Sequence, residues 1–132
     1  MSNALKFYIN GAWVDPVKPA TLDVINPATE EAYTKISVGS AADVDRAVAA
    51  ARAAFPSFSQ TTKAERLRLL RRILEIYKER IEDVARAVSD EMGAPMAMAR
   101  HSQAAAGKAH LESTIKALEA FEFEHQRGGT RI

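Results

Sequence analysis

The chain has 132 residues, a formal net charge of +1, 47% hydrophobic and 27% charged residues, and no cysteine. That balance suits one ordinary globular domain. It excludes a disulfide framework, a thiolate metal site and a thiol nucleophile, and it leaves no electrostatic footprint for nucleic acid. No apolar run approaches the roughly 20 residues of a membrane helix, and MSNALKFYINGAW lacks the pattern of a secretory signal, so the expected location is the cytoplasm.

In chain order, Lys6–Val14 (KFYINGAWV) is an apolar and aromatic run interrupted by Asn10-Gly11, a pair that tolerates the positive φ of a tight hairpin. Asp15, Pro16 and Pro19 make a kinked connection. Thr21–Asn26 reads as a short strand stopped by Pro27, which removes a ladder donor. After the turn Ala28-Thr29-Glu30, the alternation of Ala32, Thr34, Ile36 and Val38 with Tyr33, Lys35 and Ser37 predicts a half-buried strand over Glu31–Val38.

At Gly39 the period changes from two to about 3.6. Ser40 and Asp43 have the hydroxyl-x-x-acid spacing of a helix start. Val44, Ala47, Val48, Ala51 and Phe55 form the stripe, and Pro56 is expected to end the helix. The next helix is the longest. Thr62 and Glu65 have capping-box spacing, and Leu67, Leu70, Leu74, Tyr77, Ile81, Val84, Val88 and Met92 recur every three or four residues. Gly93 and Pro95 mark its end. Residues 63–92 would span about 45 Å as one rod. Beyond Pro95 a third helix is expected to about Phe123, with Ala99, Ala106, Leu111, Ile115, Leu118 and Phe121 as its weaker stripe. Gly128-Gly129 then marks a break. The predicted fold class is α+β: three short N-terminal strands, then three helices with the middle one long. The expected organisation is a single incomplete domain over 1–132, with strands and turns in 1–38 and helices in 39–132.

Residue chemistry alone points to no active site. His101, His110 and His125 lack the i, i+4 spacing of paired ligands on one helix face. Most carboxylates fall in helical charge pairs, Glu91 beside Gly93 being a partial exception. The segment Lys63–Leu74 has five basic residues and one acid, whereas Glu75–Met92 has three basic and six acidic. That polarity opposes the helix dipole, so those charges are expected to find partners elsewhere in the fold or in another subunit. No aromatic residue interleaves with the arginines, which argues against nucleic acid. Gly39-Ser40 is the nearest approach to a phosphate-binding turn, and a single glycine there serves the helix cap equally well.

The succession FYINGAWV, VINPATEE, GSAADVDRAVAAARAAFPSFS, ERLRLLRRI and SDEMGAP resembles the start of the NAD(P)-dependent aldehyde dehydrogenase superfamily, over essentially the whole chain and in order. One small departure is Glu30, where the family often has glycine. The resemblance implies part of the α/β aldehyde dehydrogenase fold, amounting to the opening quarter or so of a subunit. The nucleophilic cysteine, the general-base glutamate and the dinucleotide-binding units would lie beyond it. The implied reaction is oxidation of an aldehyde to a carboxylic acid, with NAD or NADP in the full-length enzyme. It begins with thiolate attack on the aldehyde. This chain therefore has no expected catalytic or cofactor-binding residue, no expected cofactor of its own, and no expected activity alone. Its expected partner is the remainder of the subunit, within a homo-oligomer, with no nucleic acid and no membrane. The resemblance also implies a structural cation near Ile25, through its carbonyl, and Glu91. It places His101, Gln103, Ala106 and Gly107 at the rim of the aldehyde entrance, where helix packing explains the small residues equally well. The alternative reading is a non-catalytic helical scaffold or interaction module derived from the family.

Overall fold

The computed structural model describes residues 3–131. The Asn10-Gly11 signal produces a hairpin of β1 (Phe7–Ile9) and β2 (Ala12–Val14), with φ of 53° and 76° at the two turn residues. Both positive angles match the right-handed twist of the strands. Tyr8 stands opposite Trp13 with the rings edge-to-face at 5.3 Å. A second antiparallel ribbon pairs β3 (Thr21–Asn26) with β4 (Glu31–Ser37). Its turn holds Glu30 at φ 60°, a left-handed position that costs a side-chain-bearing residue roughly 1–2 kcal/mol. This is the physical reason that glycine suits the site where Glu30 stands. The expected thin sheet is thus two separate ribbons, and Ile36 and Val38 remain exposed rather than half-buried.

Helix α1 (Ala41–Phe58) starts where the hydroxyl-x-x-acid spacing puts it, but it runs past Pro56. Proline removes only one hydrogen bond near the helix end. The last carbonyls are taken by hydroxyls, with Ser57 Oγ donating to Ala54 O and Ser59 Oγ to Pro56 O. The expected single rod is two helices, α2 (Lys63–Glu79) and α3 (Ile81–Met92), broken at Arg80 with φ −109° and ψ 12°. The apolar spacing runs through the break, so periodicity does not reveal it. The charges do. Lys78 falls in the last turn of α2, and Glu82 and Asp83 in the first turn of α3, each where the dipole favours it. After Gly93 (φ 68°) come α4 (Met96–Met98), a π-helical turn (Ala99–Gln103) and α5 (Ala104–Ala120). The third helix therefore ends three residues before Phe123 and is not uniform. The Gly128-Gly129 break is the turn of a last ribbon, β5 (Gln126–Arg127) with β6 (Thr130–Arg131).

The chain divides into two compact units, one of Met1–Thr61 with Ala87–Pro95, the other of Thr62–Arg86 with Met96–Ile132. In the first, the single buried residue among those described is polar: Asp43, 4% exposed. Its Oδ1 accepts the Val17 N–H at 2.9 Å. Its Oδ2 accepts the Ser40 N–H at 2.9 Å and the Ser40 hydroxyl at 2.7 Å. The second unit buries Leu67, Ala85, Ala99, Ala104 and Ile115. There α5 runs antiparallel to α2. Lys63 Nζ donates to Glu119 O (2.7 Å) and Phe121 O (2.9 Å), Arg71 pairs with Glu119 (2.6 Å), and Lys78 pairs with Glu112 (3.4 Å).

The Ser40 hydroxyl, then the Val17 and Ser40 amides, hold the Asp43 carboxyl below its ordinary pKa, against the opposing effect of burial. A depressed folded-state pKa adds stability that is complete above the ordinary carboxylate value and is lost as pH falls through the folded one. Thermal melts of Asp43→Asn between pH 3 and pH 7, taken as about that window, are expected to show lower stability at pH 7 and a flatter acid limb. Coincident acid limbs would remove this role.

Candidate functional site

Two places combine the residues singled out by the sequence. The first lies where the β3–β4 turn meets the end of α3, inside the first unit. Asn26 Oδ1 accepts the Ala28 N–H at 2.8 Å, which folds Ile25-Asn26-Pro27 into a compact turn. The ladder skips one residue on β4. Val24 stands opposite Thr34 and Ile25 opposite Ala32, leaving Tyr33 in a bulge. From there Tyr33 donates its hydroxyl to Glu91 Oε1 at 3.1 Å. Burial, with the Glu91 and Asp90 carboxylates, raises the Tyr33 pKa, so the phenol stays a neutral donor. Gly93 lies so close that an added Cβ would be 2.8 Å from Pro27 Cγ. The bond and the close approach bring the Ile25-Asn26-Pro27 turn and Glu91 to one neighbourhood. The donors there are a carboxylate and backbone carbonyls at a helix C-terminus, where the dipole is negative. That donor chemistry suits a hard cation, of which a carboxylate and one carbonyl are part of the several oxygens required. Among the described residues no group of three His, Cys, Asp or Glu is positioned to hold a metal.

The second place is the π turn in the second unit. Gln103 closes that turn, and its Oε1 is a buried acceptor without a partner among the described residues. Next to it, Tyr77 Oη donates to Ala104 O at 2.8 Å. Gly107 lies directly beneath the phenol, since an added Cβ would sit 2.4 Å from Tyr77 Oη. Ala106 is exposed and Gly107 half-buried. Gln103 and Gly107 therefore share a neighbourhood with Tyr77. Sequence reading places Tyr77 in the α2 stripe but gives no sign that its hydroxyl seeks a carbonyl on α5. His101, His110 and His125 are all exposed.

A dinucleotide does not fit the residues present. At the strand-to-helix turn before α1, the amide end that would cradle a phosphate already faces the chain's own Asp43 carboxylate. Gly39 there lies against the Phe7 ring at 3.6 Å. The start of α2 is closed in the same way, since Glu65 Oε2 accepts the Thr62 N–H at 2.7 Å while the Glu65 N–H donates to Thr62 Oγ1 at 3.2 Å.

Gly107→Ala tests the close packing. The methyl gains helix propensity but must displace Tyr77 and its bond to Ala104. We expect a net loss of about 1–3 kcal/mol in denaturant unfolding, and partial recovery in Gly107→Ala/Tyr77→Phe. A neutral single variant would show that the approach is slack.

A model of the aldehyde dehydrogenase family matches residues 13–130. A Staphylococcus haemolyticus protein named for that family is 41% identical over 132 residues, which is all of this chain and 28% of that protein. The crystal structure of an aldehyde dehydrogenase from Bartonella henselae superposes with a TM-score of 0.93 at 46% identity, over 98% of this chain and 28% of that one. An aldehyde dehydrogenase C mutant from Pseudomonas syringae, complexed with NAD+ and octanal, superposes with a TM-score of 0.94 at 45% identity, over 98% and 27%. The chain spans little more than a quarter of the length of these relatives and corresponds to their N-terminal segment. No helix among its described residues is long and apolar enough to cross a membrane. With the family match running almost from end to end, the chain belongs to the aldehyde dehydrogenase family.

Proposed function

We propose that these 132 residues are the N-terminal part of an NAD- or NADP-dependent aldehyde dehydrogenase subunit that oxidises an aldehyde to a carboxylic acid, and that they have no activity by themselves. The family match over 13–130 of a cysteine-free chain carries this reading. Attack on the aldehyde by the family's route needs a thiolate, and none exists in the sequence. The Pseudomonas syringae relative, which holds NAD+ and octanal, supports the cofactor and substrate class. The partner of the chain is the remainder of such a subunit, in a cytoplasmic homo-oligomer, and 1–132 is one incomplete domain of it. Exposed apolar side chains on α1 and α2, among them Phe55, Leu69 and Ile73, support this reading over a free-standing scaffold.

Within the subunit, the Ile25 carbonyl and the Glu91 carboxylate contribute to a structural cation, with Tyr33 fixing one carboxylate oxygen. Gln103, Ala106 and Gly107 lie at the rim of the aldehyde entrance, where the unpartnered Gln103 oxygen takes a donor from outside these residues.

Purified 1–132, mixed with octanal and NAD+ or NADP+, is expected to give no rise in absorbance from the reduced nicotinamide. Turnover by material free of a longer enzyme would overturn the argument from the missing thiol. A chimera completed with the remaining sequence of the Bartonella henselae relative is expected to gain thermal stability from Na+ or Mg2+, and Glu91→Gln to reduce that gain. An equal gain in both proteins would sink the cation role.

A further inference from the structure

Helix α1 presents an apolar band whose geometry specifies a partner. Val44, Val48, Phe55 and Phe58 are 58%, 46%, 68% and 53% exposed. With Ala51 they fall at spacings of four, three, four and three. That is the 3.5-residue period of a seam along which two helices lie side by side. The β1–β2 hairpin takes a different face. The groove beside it, about 360 Å3, is lined by Tyr8 and Ile9 on one side and Ala47, Ala50, Ala51 and Ala54 on the other.

The charges beside the seam select one orientation. Asp45 and Arg52 stand seven residues apart, two turns along the same flank. Neither forms a hydrogen bond or ion pair with another described residue. If a second copy of α1 runs antiparallel, Val44 meets Phe55 of that copy and Val48 meets its Ala51. Asp45 then faces Arg52 of the second copy, and the twofold axis repeats the pair. Ala51 at the centre permits a close approach of the two backbones. A parallel pair would instead set like charges level with each other.

We propose that α1 docks a second copy of this chain, antiparallel along the seam from Val44 to Phe58, with two symmetry-related Asp45–Arg52 ion pairs fixing the register. The seam is isologous, as a twofold interface requires. One helix pair covers less than the roughly 800 Å2 per partner of a standard interface, so the dimer is weak and dissociates on dilution. The proposal does not depend on the dehydrogenase reading, because it concerns the 132-residue chain whatever chemistry a longer subunit performs.

Sedimentation equilibrium of 1–132 from about 5 μM to about 1 mM, a range that brackets weak association, is expected to show a reversible monomer–dimer equilibrium. Asp45→Arg or Arg52→Asp alone should weaken it by about tenfold, since each turns two attractive pairs into two repulsive ones. Asp45→Arg/Arg52→Asp should restore the dimer, and Val48→Glu should abolish it. Circular dichroism melts identify any variant that fails to fold, and the charge-swapped double variant keeps the test decisive if a single one does. A chain that stays monomeric throughout would overturn the proposal and leave the rest of a longer subunit as the cover of this face. Single variants that associate like wild type, or a double variant no better than the singles, would overturn it equally.

Discussion

The Asp43 carboxylate accepts three hydrogen bonds, from the Val17 amide and from the amide and hydroxyl of Ser40, and it is the one buried residue described in its unit. Much follows from that. A buried carboxylate is tolerable only when its lone pairs are filled, and here the filling groups are the connection after β2 and the residue before α1. The same side chain thus ends one segment and begins the next. It also spends the anion-attracting end of α1 on a protein carboxylate, which makes that end unfit for a phosphate. The first unit is organised by a polar cap rather than by a hydrophobic centre.

The second unit has a centre, but a thin one. Of its five buried apolar residues three are alanine, and Leu67 and Ile115 are the large ones. Full burial of such a side chain contributes about 1.5–3 kcal/mol, against roughly 1–2 kcal/mol to order each backbone residue. Polar ties supplement the packing. Tyr77 reaches the Ala104 carbonyl, Lys63 reaches two carbonyls at the end of α5, and Arg100 Nε donates to both Glu82 oxygens at 2.8 and 3.0 Å. The Lys63 contact closes a helix C-terminus with a cation, where the dipole makes it favourable. The solvent-exposed Arg71–Glu119 and Lys78–Glu112 pairs set register more than they add stability.

What the sequence discloses follows the range of the interaction that decides each feature. The Asn10-Gly11 hairpin, the reciprocal Thr62–Glu65 cap and the Gly93 stop depend on two to five neighbouring residues, and all are legible. The strand boundaries of β3 and β4 are nearly so. The Tyr33 bulge is not, because it depends on how two strands come into register. The π turn at Ala99–Gln103 and the hydroxyl of Tyr77 depend on contacts 27 residues apart or on backbone strain, and residue types alone carry neither. Pro56 misleads for a specific reason: the loss of one donor near a helix end is small when serines take the free carbonyls. Of the candidate site, the residues could be named beforehand, but the tyrosines that hold them in place could not.

The charge pattern of residues 63–92 shows how a local anomaly becomes intelligible once the partner is known. As one helix, the segment begins basic and ends acidic, against its own dipole. The break at Arg80 removes part of the conflict, because Lys78 then closes one helix while Glu82 and Asp83 open another. The antiparallel α5 removes more, because its C-terminal carbonyls and Glu119 lie beside Lys63 and Arg71. What stays unanswered is apolar rather than charged. Leu69, Ile73 and Ile76 on α2 lie exposed at spacings of four and three, on a face of α2 other than the stripe that includes Leu67 and Tyr77. A helix with two apolar faces is built to be covered on both. One cover is α5, and in the relatives more than two thirds of the polypeptide lies outside the matched segment. The electrostatics of α2 are therefore largely satisfied within these residues, while its hydrophobic demand is not.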